Sequence, residues 1–235
     1  MKNKIFLLLA TSLLLVGCGT KKQSTIDDKP ADDPTQDPVD PIDPVDPPAP
    51  EWPEGAKHLT LTFLNNADFG TGKLTDSSPK AKFIEAFNKE VNILSDITVT
   101  GYVQMVNNSS SQCYINNTLL FGSRTSEGSI KFNFNYNVVG LNINAQPYWT
   151  CYNSAGELNY SVDQYADLYV QDNNNGVDFG TVELGKEPNK VDKVFKFASE
   201  GTNKVTIFNE FNNDDVPENQ SQRSYIHSME IIYIE

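Results

Sequence analysis

The sequence predicts an all-β domain, an antiparallel β-sandwich with one short helix, which follows a disordered linker. From residue 56 onward, short segments of alternating apolar and polar residues are separated by turns rich in Gly, Asn and Ser. Alternation gives each strand one buried and one exposed face, as in two antiparallel sheets packed together. No strand, glycine-rich loop and helix follow one another as nucleotide-binding folds require.

The predicted strands are short and spread over the whole domain. They are His58–Phe63, Asp96–Val103, Ser129–Val138, Val139–Ala145, Ala166–Val170, Val177–Leu184, Lys193–Phe197, Asn203–Phe208 and Ser224–Ile234. One segment, "SSPKAKFIEAFNKEV", interrupts them with a helical pattern. There Ser78 is a suitable N-cap, Pro79 suits the first helical position, and Ile84, Phe87 and Val91 form an apolar stripe.

The N-terminus has the layout of a secretory signal. Lys2 and Lys4 precede an apolar run, Ile5–Val16, that is too short to cross a bilayer as a helix. The run ends in "LVGC", Leu15–Cys18, which resembles the bacterial lipobox. The resemblance implies that a diacylglycerol is attached to Cys18 and that residues 1–17 are removed as a lipoprotein signal peptide. We therefore expect a lipid-anchored protein on the outer side of a bacterial cell membrane.

A spacer joins this anchor to the folded domain. Residues 18–55 are dominated by Asp, Pro and small residues, and Asp37–Pro48 reads "DPVDPIDPVDPP". Proline removes hydrogen-bond donors and keeps each preceding residue out of the helical region, and a repeat of three matches polyproline II. This predicts an extended linker that does not pack on the domain, with the β-sandwich occupying residues 56–235.

The order of several segments within the domain resembles a known group. These are Lys82–Val103, Leu119–Phe134 with "LLFGSRTSEGSIKFNF", Val138–Trp149 with "VVGLNINAQPYW", Ala166–Val170, and Arg223–Tyr233 with "RSYIHSMEIIY". Together they resemble galactose-binding-like jelly-roll modules of lipoproteins and secreted nucleases in low-G+C bacteria. The resemblance implies a jelly-roll sandwich of carbohydrate-binding type, with a hairpin in the second segment, and it does not imply nuclease activity.

Charge limits the partners. The net charge is −13, and removal of residues 1–17, which contain two of the eighteen basic residues and no acid, makes it −15. Such acidity argues against a nucleic-acid partner, because binding to phosphates requires a basic face. It also argues against docking on anionic lipid, so the expected contact with the membrane is the lipid anchor itself.

Catalytic and metal-binding patterns are sparse. The two histidines, His58 and His227, lie inside predicted strands without nearby Cys or His partners, which argues against zinc. No nucleophile motif is present and no local carboxylate pair stands out, so we expect no enzyme and no required cofactor. The oxygen donors of Asp172, Asn174 and Asp178 form a weak calcium pattern, in which "QDNNNGVDFG" departs from EF-hand spacing and also suits a hairpin turn.

The predicted ligand site lies on loops rich in aromatic residues. Trp149, Tyr152 and Tyr160 occur in the polar segment "PYWTCYNSAGELNYSVDQY", and Asp214 and Arg223 in a second polar loop. Aromatic faces suit the C–H surfaces of sugars, and the polar groups suit their hydroxyls. The alternative to a ligand-binding role for Trp149 is a place in the core of the sandwich.

Three functions remain open from the sequence. The first is a non-catalytic, carbohydrate-binding-like module displayed on the surface. The second is a protein-binding, adhesive or purely structural lipoprotein, and the third is an enzyme that acts on glycans. Cys113 and Cys151 either form a disulfide, which export permits, or remain two free thiols.

Overall fold

The computed structural model describes residues 50–107, 116–123, 125–147, 166–174, 176–184, 190–210 and 223–235. Within these ranges the strands are β1 (Lys57–Thr62), β2 (Gly72–Lys73), β3 (Leu94–Gly101), β4 (Val103–Asn107), β5 (Asn116–Phe121), β6 (Gly128–Pro147), β7 (Leu168–Asp172), β8 (Val177–Val182), β9 (Val191–Lys196), β10 (Thr202–Asn209) and β11 (Ser224–Ile234). A 3₁₀ turn, Ala67–Phe69, and the helix α1, Ser77–Phe87, lie between β1 and β3.

The described strands form one continuous sheet of eleven strands, and β6 runs through both of its halves. Its first half pairs with β3 on one side and β10 on the other, and β10 continues to β7 and β8. Its second half pairs with β9 and β11, and β11 also pairs with β1 and with β5, which continues to β4 and β2. We call these the first sheet and the second sheet. All the pairs are antiparallel, so the predicted antiparallel β-sandwich is confirmed.

The middle of β6 forms the corner between the sheets. Ile130, Phe132 and Phe134 point into the core, whereas after the corner the inward residues are odd-numbered, beginning with Leu141. Val138 pairs with both β10 and β11. The backbone pairing of β6 is therefore continuous at the point where the inward residues change from even-numbered to odd-numbered. The sequence predicted two strands here, and the structure has one strand because these pairings bridge the corner.

Helix α1 covers the core with a line of aromatic rings. Phe83 and Phe87 are fully buried, and their rings continue a series of contacts from Phe63 to Phe132. The predicted cap at Ser78 is wrong: Asp76 is the N-cap and makes no side-chain cap bond, and Pro79 is the third helical residue. Proline is tolerated there because the first backbone N–H groups of a helix have no partner within it.

The segment before β1 packs on the domain, contrary to the expectation of a free linker up to residue 55. A Cβ atom on Gly140 would lie 2.3 Å from Cζ3 of Trp52, so this ring rests directly on the second sheet. The Lys196 ammonium lies 5.9 Å from the Trp52 ring centroid, and Lys196 Nζ donates to the carbonyl of Glu51. The folded unit thus includes Trp52.

The described residues contain no helix that is long and apolar enough to cross a membrane. The region of the signal peptide and lipobox lies outside them, so the lipid anchor at Cys18 stays a prediction. Cys113 and Cys151 also lie outside the described residues.

Candidate functional site

The outer face of the first sheet carries the candidate site. Val205 and Ile207 of β10 belong to the core, so Thr206 and Phe208 lie on the opposite face of the strand, and the neighbouring strands follow the same alternation. Thr206 is itself buried on that face, and its hydroxyl accepts from the amide of Asn173. Two rows of outward residues result from the register of the five strands. One row is Thr100, Ser129, Phe208, Tyr169 and Thr181, and the next is Thr98, Lys131, Thr206, Gln171 and Asp178.

A groove of about 480 Å³ is set into this face at the end of the first row. Its volume falls in the range typical of small-molecule sites. The groove lies over Ser129, between Phe208 on β10 and Thr100 on β3. Its lining consists of Thr100, Gly101, Ser126, Glu127, Gly128, Ser129, Gln171, Thr206, Phe208 and Asn209.

Phe208 presents one face of its ring to the groove. The ring stacks on Tyr169 of β7, with centroids 5.3 Å apart and an interplanar angle of 20°. In the register, Phe208 has Tyr169 on one side and Ser129 on the other. Since Tyr169 covers the side toward β7, the other face is turned toward the small residue Ser129 and into the groove. Tyr169 thereby holds the ring of Phe208 in place.

Two glycines allow the opposite wall to approach closely. Gly101 has φ +68°, and a Cβ atom there would lie 2.0 Å from the carbonyl oxygen of Glu127. A Cβ atom on Gly128 would lie 2.3 Å from the carbonyl oxygen of Tyr102. The buried side chain of Asn209 fixes the loop from the other side, since its Oδ1 accepts from Gly128 N at 2.7 Å. The shape of the groove is therefore built into the backbone.

The groove is lined by neutral polar groups and one acid. The polar side chains are the hydroxyls of Thr100, Ser126, Ser129 and Thr206, the amides of Gln171 and Asn209, and the exposed carboxylate of Glu127. Gln171 Nε2 donates to Asp178 Oδ1 at 2.9 Å, which orients the amide. No Lys, Arg or His is among the described residues that line it.

Acidic groups flank the Tyr169 side of the stacked pair. Burial, then the charges of Asp167 and Glu210, raise the pKa of Tyr169. Burial, and to a lesser extent the charge of Glu183, raise the pKa of Asp167, while the Leu184 N–H that donates to it at 2.8 Å opposes this. Three acidic side chains, Asp167, Glu183 and Glu210, therefore lie on this side of the aromatic pair.

Most of the ligand-binding residues predicted from the sequence lie in two loops that the structure does not describe. Trp149, Tyr152, Tyr160 and Asp214 lie outside the described residues. Of the predicted ligand-binding residues, Arg223 is described: it is half-buried and directly precedes β11.

The strand ends that flank the two predicted loops, 148–165 and 211–222, lie near the groove. Ser224 pairs with Pro147 and Phe121, and its hydroxyl donates to the carbonyl of Ala166. Asn209, where the second loop starts, itself lines the groove. The groove thus lies at the end of the sandwich from which the predicted loops leave.

The three calcium candidates do not converge. Asp172 is buried, and its Oδ1 accepts from Thr202 Oγ1 at 2.7 Å and from Asn174 N at 2.8 Å, which organises the β7–β8 turn. Asn174 donates its amide to Thr202 and Asn203. Asp178 pairs with Gln171 on the outer face, whereas Asp172 points inward. Among the described residues, no group of three His, Cys, Asp or Glu side chains is placed to hold a metal ion.

Both histidines are strand residues with local partners. His58 is exposed, and its Nδ1 lies 3.0 Å from Glu230 Oε1. His227 is buried, and its Nε2 lies 2.8 Å from Gln146 Oε1. Burial, with a smaller contribution from the charge of Lys190, lowers the pKa of His227 to about 4. His227 is therefore neutral at physiological pH.

The sequence did contain the signal that identifies Tyr169 and Phe208. In "ADLYV" the inward residues are Leu168 and Val170, which leaves Tyr169 facing outward. In "NKVTIF" the same reasoning places Phe208 outward. An aromatic residue on the solvent face of an alternating strand is therefore the pattern that predicts this site.

No family model and no curated protein matches the chain. Among solved structures, a family 29 carbohydrate-binding module from Piromyces equi is similar at 11% identity and TM-score 0.39, covering 76% of this chain and 91% of that one. The carbohydrate-binding module CBM36 in complex with calcium and xylotriose has 10% identity and TM-score 0.34, with coverages of 59% and 96%.

A family two carbohydrate esterase from Cellvibrio japonicus has 11% identity and TM-score 0.35. The match covers 76% of this chain but 34% of the esterase chain, so it spans about a third of that protein. Similarity at these levels establishes no family membership and assigns no role to any residue of this chain.

Proposed function

We propose that this protein is a surface-anchored, non-catalytic module that binds glycans in the groove beside Phe208. The observation that carries the proposal is the lining itself, an open aromatic face opposite hydroxyl and amide groups on a rigid sheet. Sugars present apolar C–H faces together with many hydroxyls, and this combination of surfaces matches both.

A sugar would bind through the residues beside and beneath the groove, Phe208 and Ser129. A sugar ring placed over Ser129 contacts the ring face of Phe208, and its edge reaches the hydroxyl of Thr100 and the amide of Gln171. Tyr169 keeps the Phe208 ring in position, so little side-chain freedom is lost on binding. The fixed loop at Gly128 further supports a preformed site.

The proposed anchor is the diacylglycerol on Cys18, and β1 is the first strand of the domain that follows it. Strand β1 begins at Lys57, opposite Tyr233 near the end of β11, and therefore enters beside the β6 corner. The groove lies at the start of β6, eight residues from Asn137 and about 25 Å along the strand. Within the folded domain, the start of β1 and the groove thus lie at opposite ends of the first half of β6.

The alternative functions have less support in the described residues. A docking surface for proteins calls for a broad apolar patch, whereas the exposed large hydrophobic residues found are Val177 and Val194. Glycoside hydrolysis requires two carboxylates, and Glu127 is the one carboxylate among the described lining residues.

A glycan array tests the proposal directly. Residues 18–235 with Cys18→Ser, which removes the acyl attachment site, are applied with and without Phe208→Ala. We expect binding to at least one oligosaccharide, and a loss of about 1–3 kcal/mol of binding free energy in the variant, the range for a central aromatic anchor. Val194→Ala, an exposed apolar change on the second sheet, is the matched control. Equal binding by Phe208→Ala and wild type would refute the proposed site.

A further inference from the structure

Two hydrogen bonds beside the groove fix which of its polar groups donates and which accepts. Resting on the proposed function, we infer that the groove recognises one free sugar hydroxyl, to which Thr206 donates and from which Gln171 accepts. The ligand class is therefore a glycan that carries no acyl or alkyl group on that hydroxyl. Asp178 and Asn173 are the positioning residues that set the direction of the two bonds.

Gln171 is oriented from the neighbouring strand β8. It lies directly opposite Asp178 in the register, and its Nε2 donates to Asp178 Oδ1 at 2.9 Å. An ionised carboxylate accepts hydrogen bonds and donates none, so the nitrogen of the amide faces Asp178. Since Gln171 lines the groove, its Oε1 is the acceptor that it offers there.

Thr206 is oriented from the turn that follows β7. The amide Nδ2 of Asn173 donates to Thr206 Oγ1, and the backbone of Asn173 is fixed because its N–H donates to the carbonyl of Lys204 at 3.0 Å. A hydroxyl that accepts from an amide still has its own O–H to donate. Thr206 also lines the groove and therefore offers a donor.

The donor and the acceptor are neighbours within reach of one ligand oxygen. Thr206 and Gln171 are directly opposite each other in β10 and β7, and such pairs have Cβ atoms about 5 Å apart. Phe208 lies two residues farther along β10 on the same face, about 7 Å away, so a sugar ring against Phe208 reaches the pair with its edge.

This arrangement fits a hydroxyl and no other sugar oxygen. A hydroxyl accepts from Thr206 and donates to Gln171 at the same time, whereas an ether or ester oxygen accepts but does not donate. A ligand with such an oxygen at this position leaves Gln171 Oε1 without a hydrogen bond when water is displaced, and an unpaired polar group weakens binding.

Deoxyfluoro analogues test the inference. An oligosaccharide identified on the array is compared with analogues in which one hydroxyl at a time is replaced by fluorine, which is similar in size and does not donate. Titration calorimetry uses residues 18–235 with Cys18→Ser. We expect one position at which fluorine weakens binding about tenfold, the scale of an acceptor left without its donor. O-Methylation of the same hydroxyl should weaken binding at least as much.

Asp178→Asn tests the positioning of the amide. With a second amide at this position, the nitrogen of Gln171 is no longer required to face β8, so the ratio between parent and fluorinated affinities should fall to about threefold. Asp192→Asn is the matched control, because Asp192 accepts from Asn144 in an equivalent pair on the second sheet, and it should leave the ratio at about tenfold. Equal weakening of both ligands in Asp178→Asn, with the ratio unchanged, would refute the positioning role.

Asn173→Asp tests the direction of the Thr206 hydroxyl. A carboxylate at this position takes the O–H of Thr206, so the groove loses its donor and the parent glycan should bind several-fold more weakly. Unchanged affinity for the parent glycan, with the variant folded by urea unfolding, would refute the role of Thr206 as donor.

The outcomes separate this inference from the proposed function. If no glycan on the array binds, the proposed function fails and the inference falls with it. If a glycan binds and Phe208→Ala weakens it, but every fluorinated analogue binds within twofold of the parent, the proposed function stands and recognition of a single hydroxyl is refuted.

Discussion

The outer faces of the two sheets use aromatic residues in opposite ways. On the first sheet, Phe208 is held by Tyr169 from the neighbouring strand, and its other face stays open over Ser129. On the second sheet, Trp52 comes from the segment before β1 and lies on Gly140 with Lys196 beside it. A small residue under an aromatic ring thus creates either a groove or a closed contact.

Polar side chains on the outer faces of the two sheets also differ in how they are paired. On the second sheet Asn144 donates to Asp192 at 2.8 Å, and His58 lies against Glu230. These pairs satisfy each other across the strands. On the first sheet Gln171 likewise donates to Asp178, but the hydroxyls of Thr100 and Ser129 line a depression. The outer face of the first sheet therefore carries an open groove, whereas the outer face of the second sheet is covered in part by the protein's own chain.

The largest predicted effect concerns the pH dependence of stability on the second sheet. Folded His227 has a pKa of about 4, against 6.5 for an unperturbed histidine. Between these values the unfolded chain binds more protons, so the free energy of unfolding should fall by about 3 kcal/mol as pH drops from about 6.5 to about 4. Urea unfolding at pH 7 and pH 4.5 measures this. The same pH dependence in His227→Gln would contradict it.

The next effect is a difference in glycan affinity between variants on the outer faces of the two sheets. Phe208→Ala should weaken the binding of a neutral oligosaccharide by about 2 kcal/mol, because the open ring face is lost. Trp52→Ala should leave that affinity unchanged, since the ring lies on the second sheet. Titration calorimetry on both variants makes the comparison. A loss of affinity in Trp52→Ala alone would reverse the assignment of the two faces.

A third effect concerns stability on the second sheet. Gly140→Ala should lower the free energy of unfolding by about 1–3 kcal/mol, because its Cβ atom would lie 2.3 Å from the Trp52 ring, and overpacking costs this much. In a Trp52→Ala background most of this cost should disappear. A double-mutant cycle by urea unfolding measures the coupling. Additive effects of the two changes would show that Trp52 does not pack there.

The smallest effect concerns the contribution of the Tyr169–Phe208 stack to glycan affinity. Tyr169→Leu should weaken glycan binding by about 0.5–1.5 kcal/mol, the range for an aromatic pair, because Phe208 loses its support but keeps its ring. Tyr169→Phe keeps the stack and should bind like the wild type. Equal losses in both variants would instead assign the effect to the tyrosine hydroxyl.

Most of the fold could be predicted from alternation, because burial of one strand face leaves a period of two in the sequence. The corner of β6 could not, since Val138 and Val139 break the alternation and only long-range pairing shows that the strand continues. The short strand β2, Gly72–Lys73, is equally invisible because two residues carry no pattern. The hairpin expected within Leu119–Phe134 is also absent, as β5 pairs with β4 and β11.

The candidate site was less accessible from the sequence. Aromatic density drew attention to the loop residues Trp149, Tyr152 and Tyr160, whereas the described groove uses Phe208 on a strand. Phe208 and Tyr169 are 39 residues apart, and only the register of β7 and β10 stacks them. The linker boundary failed for a similar reason, because the partner of Trp52 is the distant Gly140.

The central claim is that a glycan occupies the groove on the first sheet, and NMR mapping tests it most directly. A neutral oligosaccharide identified on the array is titrated into labelled protein. We predict that the largest amide shifts occur at Gly101, Ser129 and Asn209, while Asn142 and Thr60 on the second sheet do not move. Shifts confined to residues 148–165 and 211–223, or clustered around Asn142 and Thr60, would contradict the account.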